Sequence, residues 1–217
     1  MRLSWPDDAL LATLPATHRC LSSAVLGGGL TSARHWLNLQ VPHDYARTDP
    51  DVHLTEVAAA NGLETDAVIG MLTAADVRAG VRRDRGPVSA VATVGIGQPL
   101  AAAGRRPRPL PRIGTINVLV VVRHGLTDAA LVTAVQTATE AKTQALADAH
   151  VRALNHHGPA TGTATDAICV ATPPGGDVGF AGPATAIGAA IAHAVHGAVL
   201  SGARIHQRTV AARGRMA

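Results

Sequence analysis

One of the 19 basic residues is unlike the rest: Lys142 is the single lysine, and the other 18 are arginine. A lysine ammonium is a compact point charge that can give up its proton when desolvated, whereas a guanidinium stays charged. If the stretch after Thr127 is helical, Lys142 shares a face with Leu131, Val135, Ala138, Leu146 and Ala149, and Thr133, Gln136, Thr137, Glu140 and Gln144 lie opposite. Three readings stay open for an ammonium in an apolar stripe. It snorkels to water near the helix end, it pairs with a buried carboxylate, or it serves a site. The second chemical feature is Thr161-Gly162-Thr163-Ala164-Thr165-Asp166. Hydroxyls, glycine-freed backbone N–H groups and a carboxylate there could hold an anion or orient a water. The same residues could equally close a turn on their own backbone.

Other candidates stand at the ends of strand-like runs, where folds built on sheets place their sites. They are Gly27, Gly28 and Gly29, the segment Thr73 to Asp76, Gly95 to Gly97, and Asn117. Asn117 interrupts the apolar run 114–122, so its amide needs partners in the core. Asp76 reads as a helix cap or a site acid, and Glu140 as a solvated helix face or a second site carboxylate.

Several function classes find no support. The 11 histidines contain no H-E-x-x-H, and the pairs His156/His157 and His193/His196 lack an acidic partner, so no metal site is expected. Cys20 and Cys169 sit in apolar runs and read as buried thiols rather than a disulfide framework. No full dinucleotide fingerprint, P-loop or nucleophile elbow is present. The formal charge is +4, but the arginines are scattered and aromatics make up 2% of the chain, which argues against nucleic acid. The charged N-terminus is unlike a signal peptide. Residues 181–200 could span a bilayer by length, yet their Ala, Gly and His content suits a buried core helix. The expected location is the cytoplasm, with no membrane partner.

The 217 residues suit one domain, 1–217. Strands are expected at 20–26, 35–41, 67–73, 88–95, 115–122 and 167–171, with 115–122 central because it is the most hydrophobic. The alternation at 35–41 predicts a half-buried strand. Helices are expected from Asp49-Pro50 to Asn61-Gly62, from Thr127 to about His150, and from Pro183 to Leu200. Residues 100–112 form a Pro/Arg loop expected to be mobile. The pattern predicts a mixed β-sheet covered by helices, of α/β or α+β class.

Together these stretches resemble the adenosylcobinamide amidohydrolases of corrinoid salvage. The likeness runs through SSAVLGGG near the start, NLQVP at 38–42, MLTAADV at 71–77 and VATVGIG at 91–97. It continues through GTIN at 114–117, TATEAK at 137–142, TGTATD at 161–166 and AGPATAIG at 181–188. The chain departs from the pattern at Gln98, where Asn is expected. The resemblance implies hydrolysis of the amide joining 1-amino-2-propanol to a corrin propionate, with the corrinoid as substrate and no cofactor named. Such a reaction needs an activated nucleophile, an oxyanion holder and a proton for the leaving amine. Asp166 or Glu140 would activate water, and Lys142 or loop N–H groups would hold the oxyanion. The rival is Thr161 or Thr163 as nucleophile, paired with Lys142. Gly28, Gly29, Thr73, Asp76, Asn117, Thr161 and Gly162 would line the substrate site. A homo-oligomer is compatible with this reading, and two other classes stay open: a non-catalytic corrinoid or nucleotide binding protein, and a hydrolase of a different amide.

Overall fold

Runs of Val, Leu, Ile and Ala at the strand period build one curled mixed sheet, and three helices close its outer side. The computed structural model describes residues 1–106 and 114–213, so residues 107–112 of the expected mobile loop lie outside the described residues. In chain order the elements are β1 (Arg2–Ser4), β2 (Ala9–Ser22), β3 (Gly29–Gln40), α1 (Pro50–Ala60), β4 (Val68–Thr73), β5 (Val81–Arg85) and β6 (Val88–Val94). They continue with β7 (Pro99–Leu100), β8 (Ile116–Val122), α2 (Asp128–Asp148), β9 (Gly162–Thr163), β10 (Ala167–Thr172) and α3 (Ala186–Arg213).

The main sheet runs β4-β3-β2-β10-β8-β6-β5, with β1 added beside β2. β8 is central, parallel to β10 and antiparallel to β6, and all seven of its residues are buried. The eight strands and three helices make a single α+β fold with a mixed sheet, as the sequence pattern predicts.

Curvature is what positions the site. β2 and β3 lose register between Thr13 and His18, an irregularity of the kind that bends a strand. Asn38 on β3 thereby reaches Thr93 on β6 (2.8 Å) and Asn117 on β8 (2.7 Å) across the hollow of the sheet. Trp36, Met71, Leu119 and Val121 fill that hollow. Outside it, Leu54 and Ala58 of α1 cover β3 and β4, while α2 and α3 pack on β5, β6, β8 and β10. This double covering corrects the half-buried reading of 35–41, since Trp36 to Leu39 are all buried.

Other boundaries also shift. β2 begins at Ala9, well before Cys20, and β5 uses the arginine-rich run 82–85 as a charged edge, a common guard against edge pairing. α3 continues 13 residues beyond Leu200, to Arg213. It is long and apolar enough to cross a membrane by composition, but Ile191, Val195, Ala198 and Val199 are fully buried in the core. Thr137, expected on the solvent side of α2, is buried and donates to the carbonyl of Ala181 (2.9 Å). The helix is therefore covered on two sides, by the sheet and by the segment leading into α3. Cys20 and Cys169 are free, buried neighbours on β2 and β10.

Candidate active site

α2 starts where Thr127 accepts a bond from the N–H of Ala130 (3.2 Å), a side-chain cap for one of the orphan donors. Its inner face is built mainly of alanine, with Ala130, Ala134, Ala138, Ala141 and Ala145 all buried. Such small side chains let the helix axis approach the sheet closely. Lys142 is carried inward on this face, and its side chain is 8% exposed. Across from it, the parallel pairing of β8 with β10 brings the turn 163–166 against the start of β8.

Lys142 and Asp166 form an ion pair there, and the Asp166 side chain is 10% exposed. This selects the buried-pair reading of Lys142 over snorkelling. Asp166 accepts four hydrogen bonds. Oδ1 takes the N–H of Ile116 (3.0 Å) and the hydroxyl of Thr163, while Oδ2 takes the ammonium of Lys142 and the N–H of Thr163 (3.0 Å). A carboxylate offers about four acceptor positions, so each has a donor within reach, the single hydrogen of the Thr163 hydroxyl being shared between Asp166 and the carbonyl of Gly114 (2.7 Å). Lys142 makes no other hydrogen bond among the described residues, which leaves two of its three N–H bonds to point elsewhere.

Two cavities meet at Asp166. The larger, about 560 Å³, is bordered by Lys142, Asp166, Thr161, Gly162 and Thr163, and also by Arg105 and Arg106. The smaller, about 290 Å³, is more apolar, with Val41, Met71 and Leu72 beside Thr73, Asn117 and Thr165. Among the described residues that border either cavity, Asp166 is the one carboxylate and Lys142 the one amine, and no His or Cys is present.

Of the residues singled out by sequence, Lys142, Asp166, Thr163, Thr161 and Gly162 come together at the larger cavity, and Thr73 and Asn117 border the smaller. Gly162 is required by space. A Cβ there would stand 2.5 Å from Asp166 Oδ2 and 2.7 Å from Lys142 Nζ. The Thr161 hydroxyl accepts the N–H of Ala102 (2.9 Å) and so ties down the strand pair β7-β9. Asn155 holds the same segment through Ala101 and Arg105. Asn117 is 1% exposed and donates to Asn38 and to the carbonyl of Leu72. Its own amide oxygen has no partner among the described residues.

Three expectations need correction. Glu140 is exposed, because two helical residues from Lys142 is about 200° of rotation, and it borders neither cavity. Asp76 is an exposed cap whose carboxylate accepts the N–H of Arg78 (2.9 Å) on a short 3₁₀ turn. Asp76→Ala should therefore cost about 1 kcal/mol of stability or less and leave turnover unchanged. A clear loss of activity in the folded variant would restore it to the site. Gly28 and Gly29 are exposed in the β2–β3 turn, where Gly29 has φ +85° and a Cβ on Gly28 would meet the carbonyl oxygen of Ala24 at 2.4 Å. They shape the turn, and Ser23 and Val25 before them border the smaller cavity instead.

Sequence reasoning passed over Thr115, whose hydroxyl pairs with that of Thr165 at 2.7 Å where β8 begins. It also passed over Tyr45, which borders the smaller cavity and stacks on His53. Thr165 was visible inside the threonine-rich turn, but no spacing signal pairs it with Thr115, some 50 residues away.

A buried ammonium–carboxylate pair beside threonine hydroxyls, at the wall of a cavity, is equipment suited to hydrolysing an acyl derivative such as an amide. Comparison with known proteins agrees in class. The family model described as adenosylcobinamide amidohydrolase matches residues 2–211. A protein of that name from Halobacterium salinarum is 33% identical over 204 residues, covering 88% of this chain and 83% of the relative. Another from Methanosarcina mazei is 31% identical over 183 residues, covering 80% and 84%. An uncharacterised protein of Methanocaldococcus jannaschii is 40% identical over 93 residues, 42% of this chain and 36% of that longer protein. The chain belongs to the adenosylcobinamide amidohydrolase family.

Proposed function

We propose that the protein hydrolyses the amide between 1-amino-2-propanol and the corrin propionate of adenosylcobinamide, giving adenosylcobyric acid for cobalamin salvage. The observation that carries this reading is the Lys142–Asp166 pair at the wall of the larger cavity, in a chain whose family bears that activity in its name. A cavity of about 560 Å³ holds a drug-sized group. The amide arm of the substrate enters it, and the corrin ring with its axial ligand stays at the mouth.

Each need of amide hydrolysis has a group in place. Lys142 directs its remaining N–H bonds at the carbonyl oxygen and holds the negative charge that develops there as the carbon becomes tetrahedral. Asp166 accepts the proton lost by the attacking group and returns it to the departing nitrogen. The N–H groups of Thr163 and Ile116 fix the carboxylate, and the absence of a side chain at Gly162 leaves it room, so that the transfer needs little rearrangement.

The test is to incubate the purified protein with adenosylcobinamide and follow release of free 1-amino-2-propanol together with formation of adenosylcobyric acid. Both should appear in equal amounts, and Asp166→Asn should slow them by on the order of 10³-fold. If adenosylcobinamide is left intact while a simpler amide is turned over, the substrate assignment fails and the enzyme class stands.

A further inference from the structure

The arrangement around Asp166 bears on which group attacks the carbonyl. A carboxylate that activates water needs a lone pair to accept the water's hydrogen. The N–H groups of Ile116 and Thr163 and the Lys142 ammonium take three of the acceptor positions of Asp166. The Thr163 hydroxyl stands against the fourth, its one hydrogen directed either there or to the carbonyl of Gly114 (2.7 Å). One of those donors is itself a nucleophile, the hydroxyl of Thr163, which borders the larger cavity and is half-buried. The other nearby hydroxyls are engaged elsewhere. Thr161 is bound to Ala102, Thr143 donates to the carbonyl of Thr161 (3.1 Å), and Thr165 pairs with Thr115 at the smaller cavity. Among the described residues Thr163 is the one hydroxyl that touches Asp166. Its partner is thus the carboxylate rather than Lys142.

Resting on the amide-hydrolysis reading above, we propose that Thr163 is the attacking nucleophile, that the reaction passes through an acyl-threonine ester, and that the protein consequently transfers the acyl group to amines as well as to water. Thr163 Oγ1 bonds to the amide carbon while its proton moves to Asp166 Oδ1, and the carbonyl π pair moves onto the oxygen beside Lys142. As that charge grows, the ammonium turns toward it and away from the carboxylate, which becomes more basic as it takes the proton. The oxygen pair then re-forms the carbonyl, the C–N bond breaks, and the proton on Asp166 leaves with the amine. Water, or a second amine, attacks the ester carbon and gives a proton to Asp166. The C–Oγ1 bond breaks and Thr163 regains that proton. The sum is one amide and one water to one acid and one amine, or exchange of one amine for another. No further reactant is needed.

The experiment runs adenosylcobinamide with the enzyme in the presence of hydroxylamine, and separately with isotopically labelled 1-amino-2-propanol. A control supplies adenosylcobyric acid and amine alone, to exclude simple reversal. The expected result is a corrin hydroxamate beside the acid, in a ratio that does not change when the leaving amine of the substrate is varied, and label incorporated into recovered adenosylcobinamide. Acid-quenched enzyme should carry the acyl mass on the peptide holding Thr163. Thr163→Ser, which keeps the hydroxyl and its bond to Asp166, should retain hydroxamate formation, and Thr163→Val should lose both activities by on the order of 10³-fold or more. Hydrolysis with no hydroxamate, no exchange and no adduct would overturn the proposal and leave the hydrolase reading intact, because water would then be attacking directly. No reaction of the folded protein with adenosylcobinamide would remove both.

Discussion

Lys142→Met should reduce turnover by at least 10²–10³-fold, the usual loss when one preorganised oxyanion donor is removed, while the protein still folds. Methionine matches the volume of the lysine stem and suits the alanine-lined face of α2. The variant nevertheless leaves Asp166 without its ammonium, and removing one member of a buried pair typically costs about 3–5 kcal/mol. Here three donors remain on the carboxylate, so the loss of stability should fall at or below the low end of that range. Lys142→Arg should lose activity too. The Nζ already lies 2.7 Å from the position a Cβ on Gly162 would occupy, so a planar guanidinium has no room to lie there. Lys142→Met combined with Asp166→Asn should recover stability without recovering activity, because the stranded charge is gone and the chemistry is not restored. Urea melts alongside turnover assays separate the two effects. Turnover of Lys142→Met within tenfold of the parent would remove Lys142 from the reaction.

Gly162→Ala is the second large effect. The φ of Gly162 is not among the positive ones, so alanine brings no backbone strain there, and its methyl group is the whole perturbation. That methyl would stand 2.5 Å from an oxygen of Asp166 and 2.7 Å from the lysine nitrogen. Asp166 is held by the backbone N–H groups of Ile116 and Thr163, so the methyl forces a shift of the carboxylate against those bonds and a retreat of the lysine, and the ion pair loses its spacing. A displacement of about 1 Å in a reacting constellation is worth on the order of 10²-fold in rate, and the expected loss is in kcat. The melting temperature should move only a few degrees, because no hydrogen-bonded strand contact is removed. Activity within threefold of the parent would mean that the pair does not need its present spacing.

How far the sequence disclosed this site depends on the range of each signal. The position of Lys142 was legible because helical periodicity is local: the residues that flank it on the stripe are within 11 positions. Asp166 was legible as the end of a threonine-rich turn, but its union with Lys142 depends on β8 pairing with β10 and on α2 lying against β10. Nothing local encodes that. Asp76 failed as a site residue because a cap and a catalytic acid look alike before the fold is known, and the N–H of Arg78 two residues on decides between them. The long bent strand β2 was missed at its start because Ala9 to Leu14 are buried on both faces, except Thr13, and so show no alternation. The contact of Asn38 with Asn117 depends on a sheet that curls far enough for β3 to face β8.

Gly114 lies against the glycine turn 95–97 so tightly that a Cβ would come within 2.3 Å of the backbone nitrogen of Gly97 and 2.6 Å of the carbonyl oxygen of Gly95. The carbonyl oxygen of that same Gly114 lies within hydrogen-bond reach of the hydroxyls of Thr163 (2.7 Å), where it competes with Asp166 for the one hydrogen, and of Thr165 (3.2 Å). The two threonines thus hang from a common anchor whose location is dictated by main chain wedged on main chain, with no rotamer to adjust. A larger residue at 114 would shift both hydroxyls as a rigid unit, so second-site repair must come from the 95–97 turn and not from the threonines themselves.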